Sequence, residues 1–292
     1  MTLKIAYQGI PGAYSEAAAV EYFGEDALLI PCASFDLVFE KLLSREADRA
    51  ALPFENSLAG TIHRNLDLMV ANDDVHIVGE LDFRVRHCLM TRQETDTSKV
   101  KRVFSHPMAL AQCERYMKDR GLVPVEGFDT AGSAKMLSDG DLTENAGAIA
   151  SRRAVDLYGL KLIEADIEDD EHNFTRFLIL SLEAAPKSIA GLDYKTSIAI
   201  TLENKAGALC KALGIFSALD LFMTKIESRH RRSFRGPSTA ENDGEEDKIW
   251  EYVFYIDIAA DYNDPKTQTA FTLLQQITPY FRVLGSYPTH AR

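Results

Sequence analysis

Short apolar runs alternate with amphipathic stretches along the first two thirds of the chain. That alternation predicts an architecture before any chemistry is considered. Leu3-Lys4-Ile5-Ala6-Tyr7 reads as a short strand running into Gln8-Gly9-Ile10-Pro11-Gly12-Ala13-Tyr14-Ser15 and an alanine-rich helix over 16–23. A strand at 27–31, a helix over 34–43, a strand at 49–54 and a helix built on Ile62, Leu66, Leu68 and Met69 follow. Strand-like text at 75–81 and 86–90 reads as a crossover into a second lobe, where the alternation starts afresh. There a strand at 102–104 leads through Ser105-His106-Pro107 into a helix reaching Met117, and a strand at 123–125 precedes a helix opened by Asp129-Thr130-Ala131-Gly132-Ser133. Strand 146–150, a helix from Ser151 to 158 and strand 161–163 complete the lobe. Alternation of this kind predicts α/β sheets.

An acidic run, Glu168 to Glu171, is followed by Asn173-Phe174-Thr175-Arg176-Phe177 and the apolar strand Leu178-Ile179-Leu180. Loop-like text over 183–191 then breaks the pattern and marks a domain boundary. The remainder reads as one βαββαβ unit with strands at 196–202, 222–227, 250–258 and 281–284 and helices at 207–219 and 265–277. That order is ferredoxin-like. The segment 231–248 mixes both charges with Gly, Pro and Ser and reads as a solvated loop. So small a sheet leaves exposed edges, and pairing with a second copy is the expected remedy.

Composition narrows the picture. A length of 292 residues suits two domains, and 46% apolar with 26% charged residues is ordinary for a folded aqueous protein. A net charge of -12 argues against a nucleic-acid or anionic-membrane binder, which needs a basic face. No run approaches the length of a membrane span, and a first strand at Leu3 leaves no room for a targeting peptide, so the expected compartment is the cytoplasm. Cys32, Cys88, Cys113 and Cys210 are isolated from one another, which disfavours zinc and redox motifs and predicts buried free thiols.

Candidate chemistry sits at strand ends. Thr175 offers a hydroxyl that donates and accepts, and Arg176 a guanidinium fork matched to a carboxylate, beside a strand start that faces a cleft. The alternative is a Thr filling a strand pair and an Arg salt-bridged to Asp169 or Asp170. Pro53-Phe54-Glu55-Asn56-Ser57 places a carboxylate, an amide and a hydroxyl just past a strand, where α/β sheets bind ligands, although Asn56 or Ser57 as a helix cap serves equally well. Gly9 and Gly12 lack a dinucleotide fingerprint and suit either a small anion at a helix start or a plain tight turn. Capping also accounts for Pro107 and Thr130, while His106 could face the cleft. The acidic run with His172 invites a metal, but consecutive charges usually lie solvated on a loop.

Taken together these residues resemble the prephenate dehydratases and the similar arogenate dehydratases, followed by an ACT regulatory domain. The resemblance covers nearly the whole chain and rests on Gly9 to Ser15, Pro53 to Ser57, Ser105-His106-Pro107, Asp129 to Ser133 and Thr175-Arg176-Phe177. It implies a catalytic domain at 1–183 of two α/β lobes resembling periplasmic binding proteins, and an ACT domain at 194–288. The implied reaction removes hydroxide and carbon dioxide from prephenate, giving phenylpyruvate, with no cofactor; arogenate is the alternative substrate and a non-catalytic amino-acid sensor the alternative of another class. The resemblance assigns catalysis to Thr175, Arg176, Phe177, Asn56 and Ser57, and substrate binding to Tyr14, Ser15, Glu55, Ser105, His106, Thr130, Ala131, Ser133 and Asn173. Gly207-Ala208-Leu209-Cys210 and Glu227-Ser228-Arg229 resemble two motifs that bind phenylalanine between paired ACT domains, implying a homodimer or homotetramer. The chain departs from the family at His230, where proline is usual, and at Met108, where glutamine is usual.

Overall fold

The computed structural model describes residues 2–185, 189, 191–230 and 252–289. The expected loop at 231–248, the strand start at Trp250 and part of the expected linker lie outside the described residues. By compactness the chain divides into Met1–Thr61 with Asp82–Phe177, and Ile62–Leu81 with Leu178–Arg292.

The first unit opens with β1 (Lys4–Gln8), α1 (Tyr14–Phe23), β2 (Leu28–Cys32), α2 (Phe35–Leu43), β3 (Arg49–Asn56) and the short β4 (Gly60–Thr61). Strand β1 pairs in parallel with both β2 and β3, so the helices between them act as crossovers. Helix α2 starts where Ser34 accepts the Leu37 N–H at 3.2 Å. It buries Val38, Phe39 and Leu42, one helical face. With β5 (His76–Arg84) and β11 (Phe174–Ser181) the strands order as β2-β1-β3-β11-β5, and β4 pairs with β3.

A second sheet orders β10-β6-β9-β7-β8 from β6 (Cys88–Thr91), β7 (Arg102–Ser105), β8 (Val123–Glu126), β9 (Ala146–Ala150) and β10 (Lys161–Ala165). Both faces are covered, as the two-residue period of a strand shows directly. Cys88, Met90, Ala146, Ala148 and Ala150 pack against α6 (Thr130–Asp139) and α7 (Arg152–Leu157). Leu89, Val103 and Ile149 point the other way, against α4 (Pro107–Ala111) and α5 (Glu114–Asp119). The single helix expected to run to Met117 is thus two. It breaks at Gln112-Cys113 because Asp169 caps a new start, accepting the Arg115 and Tyr116 N–H groups at 2.9 and 3.3 Å. That contact also takes Asp169 out of the solvated run expected of it.

In the second unit β12 (Tyr194–Thr201), α8 (Ala208–Ala218), β13 (Met223–His230), β14 (Tyr252–Ile258), α9 (Pro265–Ile277) and β15 (Tyr280–Pro288) form a four-stranded sheet ordered β13-β14-β12-β15. This is the ferredoxin-like order. Ile198, Ile200, Ile256 and Ile258 face Ala212 and Phe216 of α8 and Ala270, Phe271 and Leu274 of α9. The opposite face holds α3 (His63–Ala71) and the start of β5. Tyr255 donates to the Leu66 carbonyl at 3.0 Å, Arg282 donates to the carbonyls of Met69, Asn72, Asp73 and Val75, and buried Lys195 pairs with buried Glu80 at 2.6 Å. Strand β15 approaches so closely that a Cβ at Gly285 would lie 2.1 Å from the Ile77 carbonyl oxygen.

Cys32, Cys88 and Cys113 are buried free thiols as expected, but Cys210 is exposed because it lies in the first turn of α8, away from the apolar face. No helix among the described residues is long and apolar enough to cross a membrane.

Candidate active site

Strand β3 ends, and β11 begins, side by side. Ser57 N–H donates to the Phe174 carbonyl at 2.8 Å, Phe174 N–H returns a bond to Ser57 Oγ at 3.0 Å, and Ser57 Oγ donates to the His172 carbonyl at 2.7 Å. Asn56 lies next to this latch. Its Oδ1 accepts the Leu58 and Ala59 N–H groups at 3.0 and 2.9 Å, which fixes the amide's orientation. Its Nδ2 is consequently the donor toward Asn173 Oδ1 at 2.9 Å, the Phe174 carbonyl at 3.1 Å and Thr175 Oγ1 at 3.0 Å. Asn56 therefore caps a turn rather than the next helix, whose N-cap is Ile62. Thr175 accepts through its oxygen, and its hydroxyl proton remains available to donate.

Alternation along the strand sends Arg176 to the other face. There its Nε donates to Asp82 Oδ1 at 3.0 Å and its NH1 to Glu55 Oε2 at 3.4 Å, a row of alternating charge across β3, β11 and β5. The salt-bridge partners are these two residues and not Asp169 or Asp170. Phe177 returns to Thr175's face and meets Phe83 edge-on at 6.0 Å between centroids.

The glycine turn before α1 binds an anion supplied by the protein itself. Gly12 N–H donates to Glu16 Oε2 at 2.5 Å, and Arg153 holds the same carboxylate at 3.0 Å. Ser151 Oγ donates to the Gly12 carbonyl at 2.6 Å, so the turn is clamped to the start of α7. A side chain at Gly12 is excluded twice, by φ of +89° and by Ala154, 3.1 Å from the position of a Cβ. Ser15 is buried behind this turn. Tyr14 sends its hydroxyl to His87 Nδ1 at 2.6 Å.

In the second lobe Ser105 is fully buried and donates to the Ile149 carbonyl at 2.6 Å. His106 is exposed and caps α4, accepting the Met108 N–H through Nδ1 at 3.1 Å. Asp129 rather than Thr130 caps α6, through Gly132 N–H; Ala131 and Ser133 are buried, and Ser133 donates to the Asp129 carbonyl at 2.8 Å.

On the ferredoxin-like sheet, Gly207 adopts φ of +79° at the N-cap of α8, and the first-turn residues Ala208, Leu209 and Cys210 follow it. Glu227 reaches His63 at 3.1 Å and Arg229 forks onto buried Asp67 at 2.8 and 3.3 Å, so alternate residues of β13 grip α3 while Ser228 faces out. His230 meets the Tyr252 ring edge-on at 5.7 Å.

Asp82, His87, Gln112 and Asp67 were not singled out by sequence reasoning, and Glu168 was read there only as part of an acidic run. His87 left little trace there, because it follows Arg84 and Arg86 at the head of a strand; Gln112 left none, because one amide in a helix looks solvated.

The hydroxyl and amide cluster at paired strand ends, in a two-lobed α/β domain followed by a ferredoxin-like unit, is a candidate site for a small polar molecule. A family model described as prephenate dehydratase matches residues 5–185. The chain is 43% identical over 286 residues to arogenate dehydratase/prephenate dehydratase 2, chloroplastic, of Arabidopsis thaliana, covering 98% of this chain and 73% of the relative. It is 42% identical over 289 residues to arogenate dehydratase 2 of Petunia hybrida, covering 98% and 72%. Among solved structures, the prephenate dehydratase of Arthrobacter aurescens in complex with L-Phe superposes with a TM-score of 0.85 at 29% identity, covering 98% of this chain and 90% of that one. A protein described as GqqA, a novel type of quorum quenching acylases, superposes at 0.84 with 31% identity, covering 98% of each chain. The chain belongs to the prephenate dehydratase family and is an enzyme of the dehydratase type.

Proposed function

We propose that this chain converts prephenate to phenylpyruvate, with arogenate as the alternative substrate of the same site. The carrying observation is the oriented Asn56 amide, which donates to Thr175 Oγ1. A hydroxyl that accepts one hydrogen bond is a stronger donor of the next, so Thr175 is prepared to donate to the departing 4-hydroxyl. In the reaction the bond from the ring to its carboxylate breaks, its electron pair enters the ring, and the 4-hydroxyl leaves as hydroxide, which a proton converts to water. Aromatisation drives the step. Thr175 is too weak an acid to give up its proton outright, so it stabilises the leaving oxygen by hydrogen bonding as charge develops there. Arg176, with Glu55 and Asp82, holds β3, β11 and β5 in the register that presents Asn56 and Thr175 together. The test is initial-rate measurement on prephenate and on arogenate; turnover of neither would overturn the reading.

The C-terminal unit at 194–288 is in this reading an ACT domain that binds phenylalanine. The L-Phe named with the Arthrobacter aurescens relative supports it. The first-turn N–H groups of α8 suit the effector's carboxylate, and Glu227 suits its ammonium. Phe222, 72% exposed beside edge strand β13, and Ile226, 47% exposed on it, favour assembly of two or four copies through this edge. Buried thiols at Cys32, Cys88 and Cys113 suit a reducing compartment, for which we favour the cytoplasm.

A further inference from the structure

Strand register decides which side chains surround the Thr175 hydroxyl. Val85 N–H donates to the Asn173 carbonyl at 2.8 Å, and Arg176 Nε donates to Asp82 Oδ1 at 3.0 Å. Residue numbers thus rise along β5 as they fall along its neighbour β11, which makes the pair antiparallel, with Val85 opposite Asn173 and Asp82 opposite Arg176. Phe83 is therefore the residue opposite Thr175. Directly opposed residues share a face of the sheet with their Cβ atoms about 5 Å apart, so the Phe83 side chain stands beside the hydroxyl. The ring of Phe177, two residues along that face, meets the Phe83 ring edge-on at 6.0 Å and 84°, as this register requires.

On its own face of the sheet Thr175 is flanked by Asn56 from β3, Phe83 from β5, and Asn173 and Phe177 to either side along the chain. Asn173 and Phe177 are buried, at 0% and 2% exposure, whereas Asn56 and Phe83 are half-buried. A molecule therefore reaches the hydroxyl past one amide and one aromatic ring. Phe83 also borders open space, lining a groove of about 580 Å³ with Ala17, Val20 and Leu157. In the dehydratase reading the substrate is a six-membered diene ring that carries the leaving hydroxyl. With that oxygen about 2.8 Å from Thr175 Oγ1, the centre of the ring lies roughly 5 Å from the same atom. Rings pack at centroid separations of about 4.5–7 Å, so a ring placed there is within packing distance of Phe83.

We propose that Phe83 is the residue against which the substrate's ring packs, turning the 4-hydroxyl toward Thr175. The inference rests on the dehydratase reading, which turnover by the unaltered protein tests separately. Prephenate and arogenate share this ring and differ only in the side chain at its far end, so truncation of Phe83 weakens both alike. Phe83→Ala is expected to raise KM about ten-fold for each substrate that the parent turns over, with kcat kept within about three-fold. Phe83→Leu keeps apolar bulk without the ring and is expected to raise KM about three-fold. Melting temperatures on the same samples separate folding from ring contact. A KM within about two-fold of the parent in folded Phe83→Ala, or an altered preference between the two substrates, would overturn the proposal. Fluorine NMR of the 292-residue protein labelled with para-fluorophenylalanine supplies a readout independent of activity and of how the alanine variant folds. The resonance missing from Phe83→Leu identifies the ring, and phenylpyruvate, at concentrations that inhibit turnover, is expected to shift it through the ring current of the bound product. An unshifted Phe83 resonance under those conditions would overturn the contact.

Discussion

Replacing Thr175 with valine tests the assigned hydroxyl with little collateral change. The side chain is nearly buried and keeps its shape, so no cavity opens. Its hydrogen-bond partner is not stranded either, because Asn56 Nδ2 has two hydrogens and retains Asn173 Oδ1 at 2.9 Å and the Phe174 carbonyl at 3.1 Å as acceptors. The expected stability loss is therefore about 1 kcal/mol or less, one neutral hydrogen bond without an orphaned group. The expected rate loss is much larger. A positioned group that assists proton movement in the transition state contributes at least about 10²-fold, equivalent to about 2.7 kcal/mol. Thr175→Val should then lower kcat by that factor with little change in KM or melting temperature, and Thr175→Ser should recover most of the rate. Stopped-flow or coupled absorbance assays of phenylpyruvate formation, with thermal melts on the same samples, decide it. A kcat within a few-fold of the parent would remove the hydroxyl from the mechanism.

Arg176→Lys keeps one charge but cannot bond Asp82 and Glu55 together as a planar fork does, and roughly 1–3 kcal/mol of stability should go with it; an unchanged melt would show the charged row to be idle. Lys195→Met removes the ammonium beside buried Glu80 and should cost about 3–5 kcal/mol, most of it recovered by adding Glu80→Leu, with urea melts as the measure. Gly285→Ala forces a methyl against the Ile77 carbonyl and should destabilise by several kcal/mol; a melting temperature within a degree of the parent would refute that contact. Burial depresses the His87 pKa below its unfolded value of about 6.5, so the unfolded chain binds the proton more readily and stability should fall as pH drops through that value. Denaturation midpoints from pH 7.5 to 5 should show this loss, and it should be smaller in His87→Gln.

Phenylalanine regulation has a test in the 292-residue chain. An effector that binds two states unequally through Glu227 should shift activity or oligomer mass, with a coupling of about 1–3 kcal/mol. No response at millimolar phenylalanine would refute it.

Local sequence determined the elements themselves. The apolar periods of 35–43 and 146–150, and the caps Ser34, Asp129, Ser151 and Asp264, act within a few residues and can be read without knowing the fold. The order of strands and helices after residue 194 likewise determined a ferredoxin-like unit, and Thr175 with Asn56 stood out as polar groups beside strand ends. Tertiary structure alone decided what each polar group does. Arg176 could have met any carboxylate, and it met Glu55 and Asp82 because the pairing of three strands set them on its face. Asp169 and Glu168 read as solvated charge, yet each is used on a partner more than 50 residues away, a cap for α5 and the backbone of His87. The turn at Gly12, which suited either a small anion or a plain tight turn, spends its Gly12 N–H on Glu16. Hydrogen bonds are short-ranged and directional, so a donor's partner is set by atoms within about 3 Å. Positions of that precision between distant residues come from packing, and no local pattern in the chain encodes them.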